Sequence, residues 1–101
     1  MMNPTQRVIT RTEYPHIVKI AGVSGGDAII EGSRVAVWQL VGYHYKAGMS
    51  VEDILAEWAY LNPAAVFSAL AYYHDHRAEI EQAREENSYE RWQREQLAHA
   101  A

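Results

Sequence analysis

The chain has 101 residues, of which 49% are hydrophobic and 22% are charged; this composition is that of one ordinary globular domain and excludes a disordered or fibrous protein. It contains no cysteine, which excludes disulfide bonds, thiolate metal sites and cysteine nucleophiles. The net charge of −4 is unevenly distributed: residues 1–50 carry five Lys/Arg and three Asp/Glu, whereas residues 51–101 carry four Lys/Arg and ten Asp/Glu. A basic surface suited to nucleic acid is therefore expected only in the N-terminal half.

Residues 1–14 show no apolar periodicity, and we expect them to form a mobile or loosely attached arm. They lack the apolar run and the small-residue cleavage site of a secretory signal peptide. The longest mostly apolar stretch, residues 35–45, is shorter than the roughly 20 residues that cross a bilayer. We therefore expect a soluble, cytoplasmic protein.

A short β-hairpin is predicted from residue 16 onward. Residues 16–20 are rich in β-branched side chains, a glycine-rich bend follows at residues 22–27, and Ala-Ile-Ile-Glu occupies residues 28–31 before a second bend. The glycines have neither the dinucleotide fingerprint nor the P-loop spacing. We assign them to a turn that needs positive φ angles.

The spacing of apolar residues becomes helical beyond residue 35. Val37, Val41 and Tyr45 recur every four residues and predict a first helix. Gly48 is placed to end that helix in a left-handed conformation.

Two further helices start with recognisable caps. Ser50 is a preferred N-cap, and Asp53 lies three residues later, where a carboxylate suits the helix dipole. Asn62 and Pro63 begin a third helix, and because no Gly or Pro follows, that helix is expected to be long and to leave the core after Ile80. The predicted fold is mainly α: a short N-terminal β-hairpin followed by a three-helix, helix-turn-helix-like bundle with a long C-terminal helix. The core between the second and third helices is expected to contain Val51, Ile54, Leu55, Trp58, Val66, Leu70 and Tyr73.

The three helices and their tight turns match the outline of a helix-turn-helix, in which the third helix reads the DNA major groove. A plain three-helix core with the same topology is equally compatible with this outline. No Lys or Arg occurs between residues 47 and 76, so phosphate contacts have to come from elsewhere. The predicted DNA contacts are therefore phosphate contacts from Arg7, Arg11, Arg34 and Lys46, with Asn62 and Ser68 nearest the bases.

Catalytic and metal sites are not predicted. His74 and His76 are two residues apart, and such a pair points to opposite sides of a helix, whereas zinc-binding pairs are three or four residues apart. Ser24 has no evident base, and no carboxylate pair stands out in the apolar segments. We expect neither an enzyme nor a metal or cofactor.

The acidic C-terminal stretch allows two interpretations: a solvated helix held by charge pairs, or a segment that docks on a basic partner. Its sparse large apolar residues are of the kind that anchor interfaces. The partner-binding residues predicted here are Ile80, Tyr89, Trp92 and Leu97. On this hypothesis the chain divides into an arm (1–14), a folded domain (15–77) and a charged helical extension (78–101), and a protein truncated at Arg77 should stay folded.

A family resemblance is carried by motifs that occur in a fixed order. They are Ile-Glu-Gly-Ser-Arg-Val at residues 30–35, Ala-Gly-Met-Ser-Val-Glu-Asp-Ile at residues 47–54 and Tyr-Leu-Asn at residues 60–62. Over residues 14–75 the chain resembles the domain of unknown function 433 family, with Ser33 at the family's threonine and Trp58-Ala59 at its aromatic-proline pair. The resemblance implies a homeodomain-like three-helix fold and a predicted antitoxin, often paired with a PIN-like ribonuclease toxin.

Two functions follow as hypotheses. The first is an antitoxin that neutralises a ribonuclease-like toxin and also binds its own operator DNA. The second is a non-catalytic structural or oligomeric adaptor with no nucleic-acid role. In either case we expect a homodimer, formed by edge pairing of residues 17–20 or by packing of the long third helix.

Overall fold

A computed structural model describes residues 8–88, 93, 96 and 97. Its elements are three strands, β1 (Ile9–Arg11), β2 (Ile17–Ile20) and β3 (Ala28–Ile30), and four helices, α1 (Val37–Val41), α2 (Val51–Glu57), α3 (Pro63–Asp75) and α4 (Arg77–Glu86). A π-helical segment, Gly42–Lys46, continues α1. The mainly α fold with an N-terminal hairpin is as predicted. Within the described residues, every helix is too short or too polar to span a membrane.

The predicted hairpin is confirmed, but it is part of a three-stranded antiparallel sheet in the order β1-β2-β3. Ile17 pairs with Ile30, and β1 adds Ile9 opposite Ile20. Residues 9–11 thus form a strand where the sequence suggested only a loose arm. The prediction failed because all three side chains are exposed, so the strand lacks the alternation that identifies a half-buried strand.

Because β1 covers β2, the free strand edge predicted at residues 17–20 does not exist. This excludes edge pairing of β2 as a route to a dimer. An ion pair between Arg11 and Glu31, with Nη2 and Oε2 2.7 Å apart, ties β1 to the chain beyond β3.

The first helix is shorter than predicted, because the chain widens into a π-helical turn at Gly42. Val37 and Val41 are buried, whereas Tyr45 is exposed. The wider turn changes the direction of the side chains that follow it, so the apolar spacing that joins Tyr45 to Val41 does not hold in three dimensions. Gly48 follows this segment with a φ of 76°, as its predicted role requires.

The predicted caps of α2 and α3 are confirmed. Ser50 and Asp53 form a reciprocal capping box, each side chain bonded to the other's backbone N–H at 3.0 Å. Asn62 Oδ1 accepts from the backbone N–H of Ala64 at 2.8 Å, and Pro63 is the first residue of α3. These local bonds satisfy donors that no helical carbonyl reaches.

The main core lies between the sheet, α1 and α3; α2 packs against α3, and α4 packs against α1 and α3. Of the seven residues predicted for the contact between α2 and α3, four are buried and three are half-buried against the core. The buried ones are Ile54, Val66, Leu70 and Tyr73, and the half-buried ones are Val51, Leu55 and Trp58.

The long third helix does not continue as predicted, because the backbone leaves the helical conformation at His76, with φ −132° and ψ 41°. After this break, α4 folds back against the core and buries Ile80 and Ala83. The expectation that the chain leaves the core after Ile80 is therefore wrong. A truncation at Arg77 removes part of the core, so it no longer counts as a neutral deletion.

Candidate protein-interaction surface

The outward side of α3 is apolar and exposed. Ala64, Phe67, Ala71 and His74 are spaced three or four residues apart and are all exposed, and Tyr60 precedes them in the turn from α2. We call these five residues the α3 face. Phe67 is 58% exposed and Tyr60 is 69% exposed. Because the opposite side of α3 is buried in the core, this helix is apolar on both sides, which is typical of a helix that is covered in its working assembly.

Local bonds place the N-terminal end of this face. The turn before α3 closes with the backbone N–H of Leu61 on the carbonyl of Trp58 at 3.0 Å, and Leu61 is buried. Asn62 then caps the helix. The buried Leu61 and the engaged Asn62 side chain leave Tyr60 and Phe67 as the large groups that solvent reaches here.

The C-terminal end of the α3 face meets the π-helical segment. The hydroxyl of Tyr45 shares a hydrogen bond of 2.6 Å with Nε2 of His74, and the rings of Tyr45 and Tyr73 are 5.7 Å apart. The guanidinium of Arg77 lies 5.3 Å from the centroid of the Tyr73 ring. Tyr45 therefore extends the α3 face beyond the helix and adds a third exposed aromatic ring to it.

The charged side chains of α2 and α3 are all acidic, whereas the cations Lys46 and Arg77 lie near the Tyr45 end of the α3 face. Residues 58–74 contain no Asp, Glu, Lys or Arg, and residues 47–76 contain no Lys or Arg. The charged groups within that longer range are four exposed carboxylates, Glu52, Asp53, Glu57 and Asp75. These carboxylates repel phosphate and attract a basic protein.

The break between α3 and α4 is held by a polar cluster. His76 stacks on the Tyr72 ring at 4.2 Å and bonds to Glu13. The Tyr72 hydroxyl donates to both carboxylate oxygens of Glu79, at 3.0 and 2.9 Å, and Lys19 pairs with Glu79 at 3.2 Å. Burial, and then the bond to Glu79, raises the pKa of Tyr72 well above its usual range. The cluster fixes the start of α4 against the chain that precedes β2.

A second chain of bonds orients Arg84 on α4. The Tyr73 hydroxyl donates to Oε1 of Glu81 at 2.7 Å, and Arg84 Nη1 donates to Oε2 of Glu81 at 2.8 Å. The bond from Tyr73, with the help of Arg84, lowers the pKa of the Glu81 carboxyl. Glu81 therefore stays charged and holds the guanidinium in place.

Asn62 and Ser68 both belong to α3, whereas the predicted phosphate contacts come from other elements, and no bond or ion pair within the described part of the chain joins any two of the predicted DNA-contacting residues. Arg11 is paired with Glu31, Arg34 is exposed in a loop, and Lys46 is exposed at the end of the π-helical segment. Asn62 caps α3, and the Ser68 hydroxyl donates to the carbonyl of Pro15. Both side chains predicted to read bases are thus hydrogen-bonded to the protein's own backbone. Arg7 lies outside the described residues.

The prediction that Ile80 contacts a partner is wrong, because Ile80 is buried. It is 1% exposed and belongs to the main core, so it is not available to a partner. Leu97 is exposed, whereas Tyr89 and Trp92 lie outside the described residues.

Tyr60, Phe67 and Tyr45 were not predicted as surface residues, whereas His74 was expected at a surface or an interface and is exposed. The signal that points to Tyr60 and Phe67 is the absence of charge from residues 58–74, because a solvent-facing helix surface ordinarily carries charges. For metal binding, no group of three or more His, Asp or Glu is close enough within the described chain to hold an ion.

Comparisons with known proteins give a family and a fold. The model of a family described as a protein of unknown function, DUF433, matches residues 17–73. A solved structure of a DUF433 member protein from Anabaena variabilis ATCC 29413 is 31% identical, with a TM-score of 0.63, and the match covers 66% of this chain and 65% of that one. No curated protein matches the chain. The matched family region includes the α3 face through Ala71 and ends before α4.

Proposed function

The chain belongs to the DUF433 family, and from this premise we propose that it is a non-catalytic protein-binding module that acts as the antitoxin of a toxin–antitoxin pair. Its partner in this proposal is a PIN-like ribonuclease toxin. The observation that carries the proposal is the α3 face, an exposed apolar and aromatic surface on a pair of helices, α2 and α3, whose charged side chains are all carboxylates.

The chemistry of the α3 face favours a protein over a nucleic acid. Phe67 and Tyr60 are aromatic side chains of the type that dominates binding energy at protein interfaces. The exposed carboxylates of α2 and the end of α3 complement a basic surface. A ribonuclease has to attract RNA phosphates, so it presents such a surface.

Operator binding receives less support from the same geometry. A helix that enters the major groove comes close to two phosphate backbones. The helices α2 and α3 carry four carboxylates, which repel phosphate, and no Lys or Arg that would attract it. The exposed cations lie on other elements. We therefore place toxin binding first and treat operator binding as a role that would need the toxin or a second subunit to supply cations.

Inhibition of a ribonuclease provides the test. The proteins encoded by the genes that neighbour this chain's own are purified and assayed for RNA cleavage, and the full-length chain is added to any that cleaves RNA. We expect stoichiometric inhibition by the wild type and binding weakened at least about tenfold by Phe67→Glu, which removes an aromatic anchor and adds a charge. The matched control is Val8→Glu, because Val8 is similarly exposed but lies on the N-terminal side of β1.

Three results would contradict parts of this proposal. Equal inhibition by Phe67→Glu and the wild type would remove the α3 face from the interface. Equal loss in both variants would show a general effect of added negative charge. A ribonuclease that the wild-type chain neither binds nor inhibits would leave the adaptor as the better function.

A further inference from the structure

A cavity of about 280 Å³ lies between α1 with its π-helical segment and α4. Trp38, Gly42 and Tyr43 line it on one side, and Arg84 and Asn87 line it on the other. It shares no residue with the α3 face. Pockets for drug-sized ligands span about 300–1,000 Å³, so this cavity has room for about one large side chain.

Gly42 is the unusual residue of this cavity. Five of the six glycines in the chain have positive φ angles, which glycine adopts most easily. Gly42 instead has helical angles, φ −61° and ψ −47°, where glycine weakens a helix and any other residue except proline does better. A Cβ atom placed there would lie 3.9 Å from Arg84 Nε, in ordinary contact. The backbone therefore does not require glycine, and what glycine supplies is open space beside Arg84.

The π-helical segment begins at the same wall. Gly42 and Tyr43 are its first two residues, and both line the cavity. π-Helical turns are less stable than α-helical ones and are found frequently at functional sites. The less stable π-helical turn and the helix-weakening glycine thus occur together at Gly42, in the wall of the cavity.

The walls are held in position before anything binds. The Tyr43 ring packs on Trp58 with centroids 4.8 Å apart, and Arg84 is anchored by Glu81. Rigid walls reduce the entropy that a bound group would otherwise cost. Glu81 and Glu85 lie on either side of Arg84 along α4, so the arginine is a hydrogen-bond donor in acidic surroundings and suits a neutral acceptor better than an anion.

We propose that this cavity binds one aromatic side chain of a partner polypeptide, whose adjoining backbone carbonyl accepts a hydrogen bond from Arg84. Trp38 and Tyr43 are two of the seven residues that line the cavity, beside the polar Gln39, Arg84, Asn87 and Ser88, and their rings can pack against an aromatic ring. Aromatic side chains in preformed pockets are typical anchors of protein interfaces. The inference deepens the proposed function, on which it rests, by adding a second contact of stated chemistry.

The test uses N-acetyl-L-phenylalaninamide as the probe and the full-length chain labelled with ¹⁵N. Trp38 supplies the reporter, because its Nε1 is buried and has no acceptor in the described part of the chain. The chain has three tryptophans, and Trp38→Phe identifies the indole N–H signal of Trp38. We expect this signal and the Gly42 amide signal to move and saturate as the probe is added.

Filling the cavity should abolish this response. Gly42→Leu places a branched side chain beside Arg84 in a helical backbone that accepts it, and we expect affinity for the probe to fall at least about tenfold. Gly42→Ala is the matched control, because its single added carbon makes only ordinary contact. N-acetylglycinamide, which has the carbonyl groups without the ring, should not bind.

The outcomes separate this inference from the proposed function. Absence of a saturating shift in the wild type overturns the cavity as an aromatic site, and so does equal binding of the probe to Gly42→Leu. Equal binding of N-acetylglycinamide overturns the aromatic preference. These titrations contain no ribonuclease, so their failure leaves toxin inhibition and its dependence on Phe67 unaffected, whereas a failed inhibition assay leaves the titration valid.

Discussion

The position of α4 in the core is tested most directly by Ile80→Ala. Ile80 is 1% exposed and packs in the main core. The substitution removes three buried carbon atoms, and at about 0.8 kcal/mol for each the lost transfer free energy is about 2.4 kcal/mol. The cavity left behind adds to this cost, since large-to-alanine substitutions in cores cost about 2–5 kcal/mol. We therefore expect the free energy of unfolding to fall by about 3 kcal/mol.

Urea denaturation followed by circular dichroism measures this loss, and thermal unfolding checks it. For a domain of this size each kcal/mol corresponds to about 4–8 °C in Tm, so Tm should fall by more than about 10 °C. The control is Leu97→Ala, because Leu97 is 73% exposed and surface changes stay within about 0.5 kcal/mol. If both variants lose less than about 0.5 kcal/mol, α4 does not pack on the core as described, and a solvated C-terminal helix is the better account.

Three further predictions concern local structure and pH. Ser50→Ala removes the hydroxyl that caps α2 and should cost about 0.5–2 kcal/mol in urea denaturation; an unchanged midpoint would mean that water replaces the cap. Gly48→Ala forces a side chain into a φ of 76° and should cost about 1–2 kcal/mol, in contrast to Gly42→Ala, which should stabilise the chain or leave it unchanged. The raised pKa of Tyr72 means that the unfolded chain loses this proton from about pH 10 while the folded chain keeps it, so stability should fall as the pH rises further. Tyr72→Phe should make that alkaline decline shallower, and a decline of unchanged steepness would show that other groups cause it.

The features that the sequence determined are those whose partners lie within a few residues. The N-caps at Ser50 and Asn62 and the left-handed Gly48 were all predicted and are all present, and Asp53, which was expected only to suit the helix dipole, also bonds to the Ser50 backbone. Each depends on backbone groups within about one helical turn, so the local sequence is sufficient to specify it. The hairpin and the buried side of α3 follow equally from periodicity, which burial imposes on any amphipathic element.

Only the tertiary structure shows where α3 ends and which side chains on its outward side are exposed to solvent. No residue near His76 is a helix breaker, and the break coincides with a bond to Glu13, 63 positions earlier in the chain. Ser68 was expected to face DNA, but its hydroxyl bonds to Pro15, 53 positions away. Ile80 was expected to contact a partner, but α4 folds back and buries it in the core. These contacts join segments that are far apart in the sequence, so no local periodicity predicts them. The exposure of Phe67 and Tyr60 also depends on how the rest of the chain packs, so the α3 face could be identified only from the tertiary structure.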